Sequence, residues 1–198
     1  PQTPYFNIWG TTDMSGTPEV ILWRQYSKEL GVVNNVEVGV QHGDFGVGLT
    51  RSMVEGYVMK DGKPIYNSAY TYSDQTIADV ATNRDPRLTI FLKVPGQKNV
   101  FKNMSAPEDH YVIDEPYPTI TTRNAENDYS TGYAIRKGGT FDKANTGNGN
   151  CYNAAEIFRA TEALLNYMEA EYMLTNSLSG KVLEYWKDVR KAAGFTGD

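Results

Sequence analysis

One cysteine and two histidines are all that this 198-residue chain offers to thiol or imidazole chemistry. Cys151 stands alone, which excludes an internal disulfide and a redox pair. His42 and His110 fall in separate stretches without the short spacing of a zinc site, and the run Glu108-Asp109-His110 reads most simply as solvated loop. No apolar run approaches the roughly 20 residues that a membrane helix needs. The chain opens Pro1-Gln2-Thr3-Pro4, without a basic head and an apolar stretch, so any export signal is expected upstream of Pro1. Basic charge is scarce as well. Lys and Arg number 19 against 24 Asp and Glu, a net charge of −5 with no long run of one sign, which excludes the basic stripe that nucleic acid requires.

Catalytic signatures are missing too. No Gly-x-Ser-x-Gly elbow occurs, and Cys151 has no evident partner base. The glycines at 138, 139, 147 and 149 are not followed by Gly-Lys-Ser/Thr, and Gly39 to Gly48 lacks the spacing of a dinucleotide turn. Asp142 to Gly147 has the first Asp and sixth Gly of a calcium loop, but Ala144 occupies a ligand position. Asp44, Asp109, Asp114 and Glu115 are loop acids with nothing to mark them out, although a glycosidase pair meets only in the fold.

What the chain does have is tyrosine. Fourteen Tyr and 3 Trp outnumber 7 Phe. Tyr and Trp offer a flat apolar face with a polar edge, which suits wet stacking surfaces better than a dry core, though half-exposed strands and loops use them too.

Hydrophobic patterning predicts a mainly α chain with long irregular loops and a few short strands. Pro1 to Gly48 reads as loop, strand, loop, the strand being Glu19 to Tyr26 after the turn Ser15-Gly16-Thr17-Pro18. A helix is expected from Thr50, its N-cap, with Leu49 stapled onto Val54, an apolar face of Val54, Tyr57 and Val58, and a stop at Asp61-Gly62. A helical turn is expected over 74–80 and a strand over 88–94. Residues 95–150 are rich in Pro, Gly, Asn, Asp, Thr and Tyr, a length of loop that points to function or to dependence on neighbours.

Asn153-Ala154-Ala155-Glu156 has the form of a capping box, ahead of an amphipathic helix with Ile157, Thr161, Leu164, Met168 and Tyr172 on its stripe. After a turn at 175–180, a second helix carries Val182, Trp186, Val189 and Ala193, with Trp186 expected in the core and Gly194 as the stop. Such a hairpin is the unit of tetratricopeptide-like arrays and cannot bury its faces alone. The chain is thus read as part of one domain, a loop-rich lobe over 1–150 and a helical hairpin over 151–198.

Asn83-Arg84-Asp85-Pro86-Arg87-Leu88 reads as a structural clamp, with arginines donating to carboxylate or backbone oxygens around a turn. With Met59-Lys60-Asp61-Gly62-Lys63-Pro64 before it, this hexapeptide resembles the SusD/RagB family. The strand segment 19–26, the helix Arg159 to Leu174 and the end Asp188-Val189-Arg190-Lys191-Ala192-Ala193-Gly194-Phe195 resemble that family in the same order. The resemblance implies a SusD-like fold within a protein more than twice this length. It also implies a lipid anchor on the missing N-terminal part, since Cys151 lies too far in to carry it.

The function so implied is surface capture of oligosaccharide at the outer membrane for a SusC-like TonB-dependent transporter, without catalysis or cofactor. In such proteins loop aromatics stack on sugar rings. Trp9 and Tyr5 are the expected platforms, with Asn7, Arg24 and Tyr26 beside them; Tyr66, Tyr70 and Tyr72 read as a solvated loop. Two other readings stay open: a peptide-binding RagB-like subunit, and a secreted glycosidase whose carboxylates meet in the fold.

Overall fold

The computed structural model describes residues 4–42, 47–97, 131–145 and 147–195. His110, Asp44, Asp109, Asp114 and Glu115 lie outside them, as does Thr146 of the calcium-like loop, and of His42 only the backbone is described. The order is α1 (Pro4–Gly10), β1 (Val20–Arg24), α2 (Val36–His42), α3 (Arg51–Gly56), α4 (Ile77–Ala81), α5 (Leu88–Phe91), a 3-10 turn (Lys143–Asn145), β2 (Ala155–Arg159), α6 (Ala160–Thr175) and α7 (Gly180–Ala192). The chain is mostly helical, with one small antiparallel pair of strands. Helices α1 and α2 fall where only loop was expected around the strand.

Short helices surround the main core, and α3 and α4 are each set by a threonine cap. Thr50 is extended at φ −74° and ψ 153°, and its hydroxyl accepts from the Met53 amide at 3.2 Å, which starts α3. Thr76 does the same for α4, accepting from the Asp79 amide at 3.0 Å while donating to the Asp79 carboxylate at 2.8 Å. These caps place Val54, Ile77 and Val80 in a shared cluster with Leu49, Leu88, Leu92 and Val94. Val54, Leu88 and Leu92 are fully buried, each contributing roughly 2 kcal/mol of apolar transfer. Ile135 packs against this cluster and also against a second one around Phe6 and Val40, so α1 and α2 are joined to the core through it.

Several expectations are corrected here. Helix α3 ends at Gly56, because Tyr57 turns extended at φ −65° and ψ 134°. Residues 88–91 form a helix despite their strand-favouring side chains. Asp85 starts it, its carbonyl accepting from the Leu88 amide at 3.0 Å and its carboxylate from the Arg87 amide at 2.9 Å. Strand pairing begins only at Leu92, which bridges Ile135. Asn153 caps no helix. It is buried, and its side chain donates to the Gly138 carbonyl at 2.9 Å and accepts from the Asn145 amide, while 155–159 pair with β1 as a strand. Non-local pairing with β1 overrides the capping pattern, and α6 starts at Ala160, whose N–H donates to Glu19 at 2.8 Å.

Helices α6 and α7 form the expected hairpin, with Tyr167 and Tyr185 edge to face at 5.8 Å. Asn176 closes α6 in the left-handed region at φ 49°, and Gly194 follows α7 at φ +93°. Trp186 does not lie in the core: it is 41 % exposed, with the Arg190 guanidinium 5.7 Å from its ring. Leu165, Met173 and Leu174 on α6 are exposed as well, as are Ile21, Leu22 and Ile157 on the strands. A two-helix unit has only one partner for each helix, so its outer faces stay open.

Three of the sequence motifs meet in space. The Lys60 amide donates to the Asn83 carbonyl at 2.7 Å, the Asp85 amide to the Val58 carbonyl at 2.9 Å, and Met59 bridges Arg84. The end of α7 closes over this turn pair, with Arg190 against Gly62 and Gly194 against Pro86. Arg84 is the clamp. Its guanidinium is buried and donates to the carbonyls of Val54, Tyr57 and Val80, and the Tyr72 ring lies 5.0 Å away. Burial pulls its pKa down from the usual arginine value.

Candidate functional site

Helix α1 stands as a ridge between two clefts, and its heptapeptide explains the division. Tyr5 and Trp9 are four residues apart and share one face. Phe6 turns into the core, and Asn7 points out on the other side. Tyr5 and Trp9 meet edge to face at 6.1 Å, and Phe91 from α5 completes a triangle at 5.4 Å from Tyr5 and 5.8 Å from Trp9.

Cations line this triangle. The Lys137 ammonium sits 3.6 Å from the centre of the Trp9 ring, and the Arg159 guanidinium 4.9 Å from it, distances at which the ring quadrupole attracts positive charge. Arg159 is also paired with Glu156 at 2.9 Å and with Glu19 at 3.0 Å, which ties the triangle to the strand pair. Burial pushes the Lys137 ammonium down and the Glu156 carboxyl up from their ordinary values. Trp9 is therefore held from several sides, and Lys137 already covers its ring.

The first cleft has a volume of about 260 Å³ and runs along Tyr5, between Tyr57, Met53 and Phe91, to the Asp85–Arg87 pair. Asp85 is buried. Both of its oxygens accept from Arg87, from Nε at 3.1 Å each and from Nη2 to one at 2.6 Å. Arg87 keeps 36 % of its side chain exposed. The bond to Asp85 raises its pKa further. Burial first, then Tyr5 and Asp85, push the Tyr57 phenol up to about 12, so it is a neutral hydroxyl at any ordinary pH. The second cleft, about 360 Å³, lies across the ridge and is lined by Asn7, Thr11, Thr140, Asp142 and the edge of Phe141.

The five residues expected from sequence divide into three places. Tyr5 lines the first cleft with Trp9 behind it, and Asn7 lines the second. Arg24 and Tyr26 pair with each other, the guanidinium 5.2 Å from the ring, at the end of β1, and line neither cleft. Tyr57, Asp85 and Arg87 were not expected in a site. Tyr57 reads as one more apolar helix position and Arg87 as half of a clamp; the early end of α3 brings the first to the cleft and the pairing with Asp85 holds the second there. In the calcium-like loop, Asp142 caps its own turn by accepting from the Ala144 amide at 3.0 Å, and Asn145 is fully buried against Tyr152 and Asn153.

Both clefts lie beside a short helix of a mostly helical fold, and each combines aromatic walls with a few polar groups, the usual make-up of a small-molecule site. The family profile of the SusD family matches residues 18–197, and the chain belongs to that family. Two solved structures share the fold. A SusD-like protein from Bacteroides fragilis is 23 % identical with a TM-score of 0.63, over 98 % of this chain and 39 % of its own. A SusD-like carbohydrate binding protein from the same species is 20 % identical with a TM-score of 0.54, over 91 % of this chain and 34 % of its own. The chain thus spans well under half the length of these solved relatives. No curated protein matches it.

Proposed function

We propose that the chain forms part of a surface-exposed glycan-binding lipoprotein, anchored to the outer membrane by lipid on a segment outside this sequence. It captures oligosaccharide for a SusC-like TonB-dependent transporter and does no chemistry on it. The carrying observation is the first cleft, whose lining combines the aromatic and thioether side chains of Tyr5, Phe91 and Met53 with the polar groups of Tyr57 and Arg87. A sugar ring has the same division, an apolar C–H face rimmed by hydroxyls. Membership of the SusD family and likeness to a carbohydrate binding protein of that fold support this reading.

Among the described residues each of the two clefts is lined by one acid, Asp85 in the first and Asp142 in the second, and Asp85 is engaged by Arg87. Glycoside hydrolysis works with two facing carboxylates, so the clefts favour capture over cleavage. Among the described residues no helix is long and apolar enough to cross a membrane. The test is calorimetric titration of the chain with a panel of oligosaccharides, beside Tyr5→Ala. Saturable binding that the substitution abolishes, with the fold intact by circular dichroism, supports the proposal. Binding of peptides but no saccharide turns the reading to a RagB-like peptide subunit, and release of reducing sugar turns it to a glycosidase.

A further inference from the structure

Resting on the glycan reading, we infer that the first cleft selects uncharged sugar rings over the corresponding uronates. Among the described residues Arg87 is the one cation that lines it, and its charge is already paired. Its Nε and Nη2 are bound by Asp85, and the Arg87 amide donates to the same carboxylate at 2.9 Å. The acid is 1 % exposed and cannot swing away to release the guanidinium.

The surrounding ionised groups balance in the same way. Arg159 is held by Glu156 and Glu19, and Lys137 stands over Trp9 within the field of the Glu156 carboxylate. Arg87, Arg159 and Lys137 thus face Asp85, Glu156 and Glu19, charge for charge. A sugar carboxylate entering here would give up its hydration to a wall without net positive charge among the described residues, with Asp85 behind the guanidinium of Arg87.

Hydroxyls fare differently. Among the described residues Arg87 Nη1 and the phenols of Tyr5 and Tyr57 have no hydrogen-bond partner, so they remain for the ligand. Arg87 Nη1 only donates, whereas each phenol both donates and accepts, which suits alcohol groups. Burial keeps Tyr57 protonated, so no second anion forms on the wall. Met53, 46 % exposed, and the Tyr5 ring supply the apolar floor for the C–H face.

The test is titration of the chain with matched hexasaccharide pairs, mannose against mannuronate and galactose against galacturonate, with glucose and xylose hexamers added, at low and high salt. The expected result is binding of at least one neutral hexamer, about tenfold or more tighter than its uronate or than any uronate in the panel. That affinity should change by less than about twofold with salt, since no ion pair to the ligand is there to be screened. Arg87→Gln should weaken it about tenfold. Tighter, salt-sensitive binding of a uronate overturns the inference and leaves glycan capture standing. Neutral binding unchanged in Arg87→Gln overturns the assignment to this cleft. Binding of neither class overturns the glycan reading and the inference with it.

Discussion

The guanidinium of Arg190 lies against the backbone of Gly62, so close that a β-carbon at position 62 would overlap it. Gly62 also has φ +76°, where a side chain is strained whatever the space around it. Gly62→Ala is therefore expected to destabilise the fold by roughly 1–2 kcal/mol in urea unfolding, mostly for the left-handed backbone, since the Arg190 guanidinium ends a flexible side chain and can shift. The double variant with Arg190→Ala separates the causes: it should recover the steric part and keep the cost of the left-handed backbone. Equal stability of wild type and Gly62→Ala would contradict the left-handed backbone at this turn, and equal stability of the single and double variants would show that Arg190 adds no steric cost there.

Arg84 holds three carbonyls from two short helices and the chain that follows α3. A lysine keeps the charge but cannot reach all three from one nitrogen, and a methionine reaches none. Arg84→Lys and Arg84→Met are both expected to lose roughly 3 kcal/mol, because buried carbonyls are left without donors. Thermal unfolding would check this, and a loss under about 1 kcal/mol would contradict the clamp.

Tyr5 and Trp9 touch, but their substitutions should separate. Tyr5→Ala removes a cleft wall and is expected to weaken oligosaccharide binding about tenfold or more with little change in stability. Trp9→Ala removes a half-buried ring packed on Tyr5, Phe91 and Lys137, and should cost roughly 2–3 kcal/mol of stability as well as affinity. If Trp9→Ala abolished binding while leaving the melting temperature unchanged, Trp9 and not Tyr5 would be the stacking surface.

Tyr57 sets an alkaline limit. Its folded-state pKa of about 12 lies above the usual 10.0 of tyrosine, so between those values the folded chain keeps a proton that the unfolded chain gives up. Stability linked to this group is then fully present below pH 10.0 and falls as pH rises toward about 12. Tyr57→Phe is expected to flatten that part of the stability profile. Parallel profiles for the two proteins would show that the phenol is not buried against Tyr5.

Much of the architecture is legible in the chain. Thr50 as a cap, the strand at 20–24, the hairpin of α6 and α7 with its stop at Gly194 and the clamp at 83–88 each follow from a local rule of capping, periodicity or turn chemistry. The family resemblance was legible because its motifs are turns and clamps, and those residues meet at a structural junction where Asn83, Gly62 and Gly194 need backbone conformations that few residues adopt.

Tertiary structure decided the rest. Whether 155–159 becomes a first helical turn or a strand depends on β1, far away in sequence, and no capping pattern encodes that partner. Residues 88–91 have strand-forming side chains, yet Asp85 turns them into a helix by accepting their first amides. The cleft is of the same kind. Tyr5 by itself indicates an aromatic on a short helix, but its partners Tyr57 and Arg87 come from segments read locally as core and clamp. They face Tyr5 only because α3 stops at Gly56 and Asp85 fixes the Arg87 side chain. Local hydrogen bonding and side-chain period are written in neighbouring residues, whereas a cleft wall is assembled from contacts between distant ones.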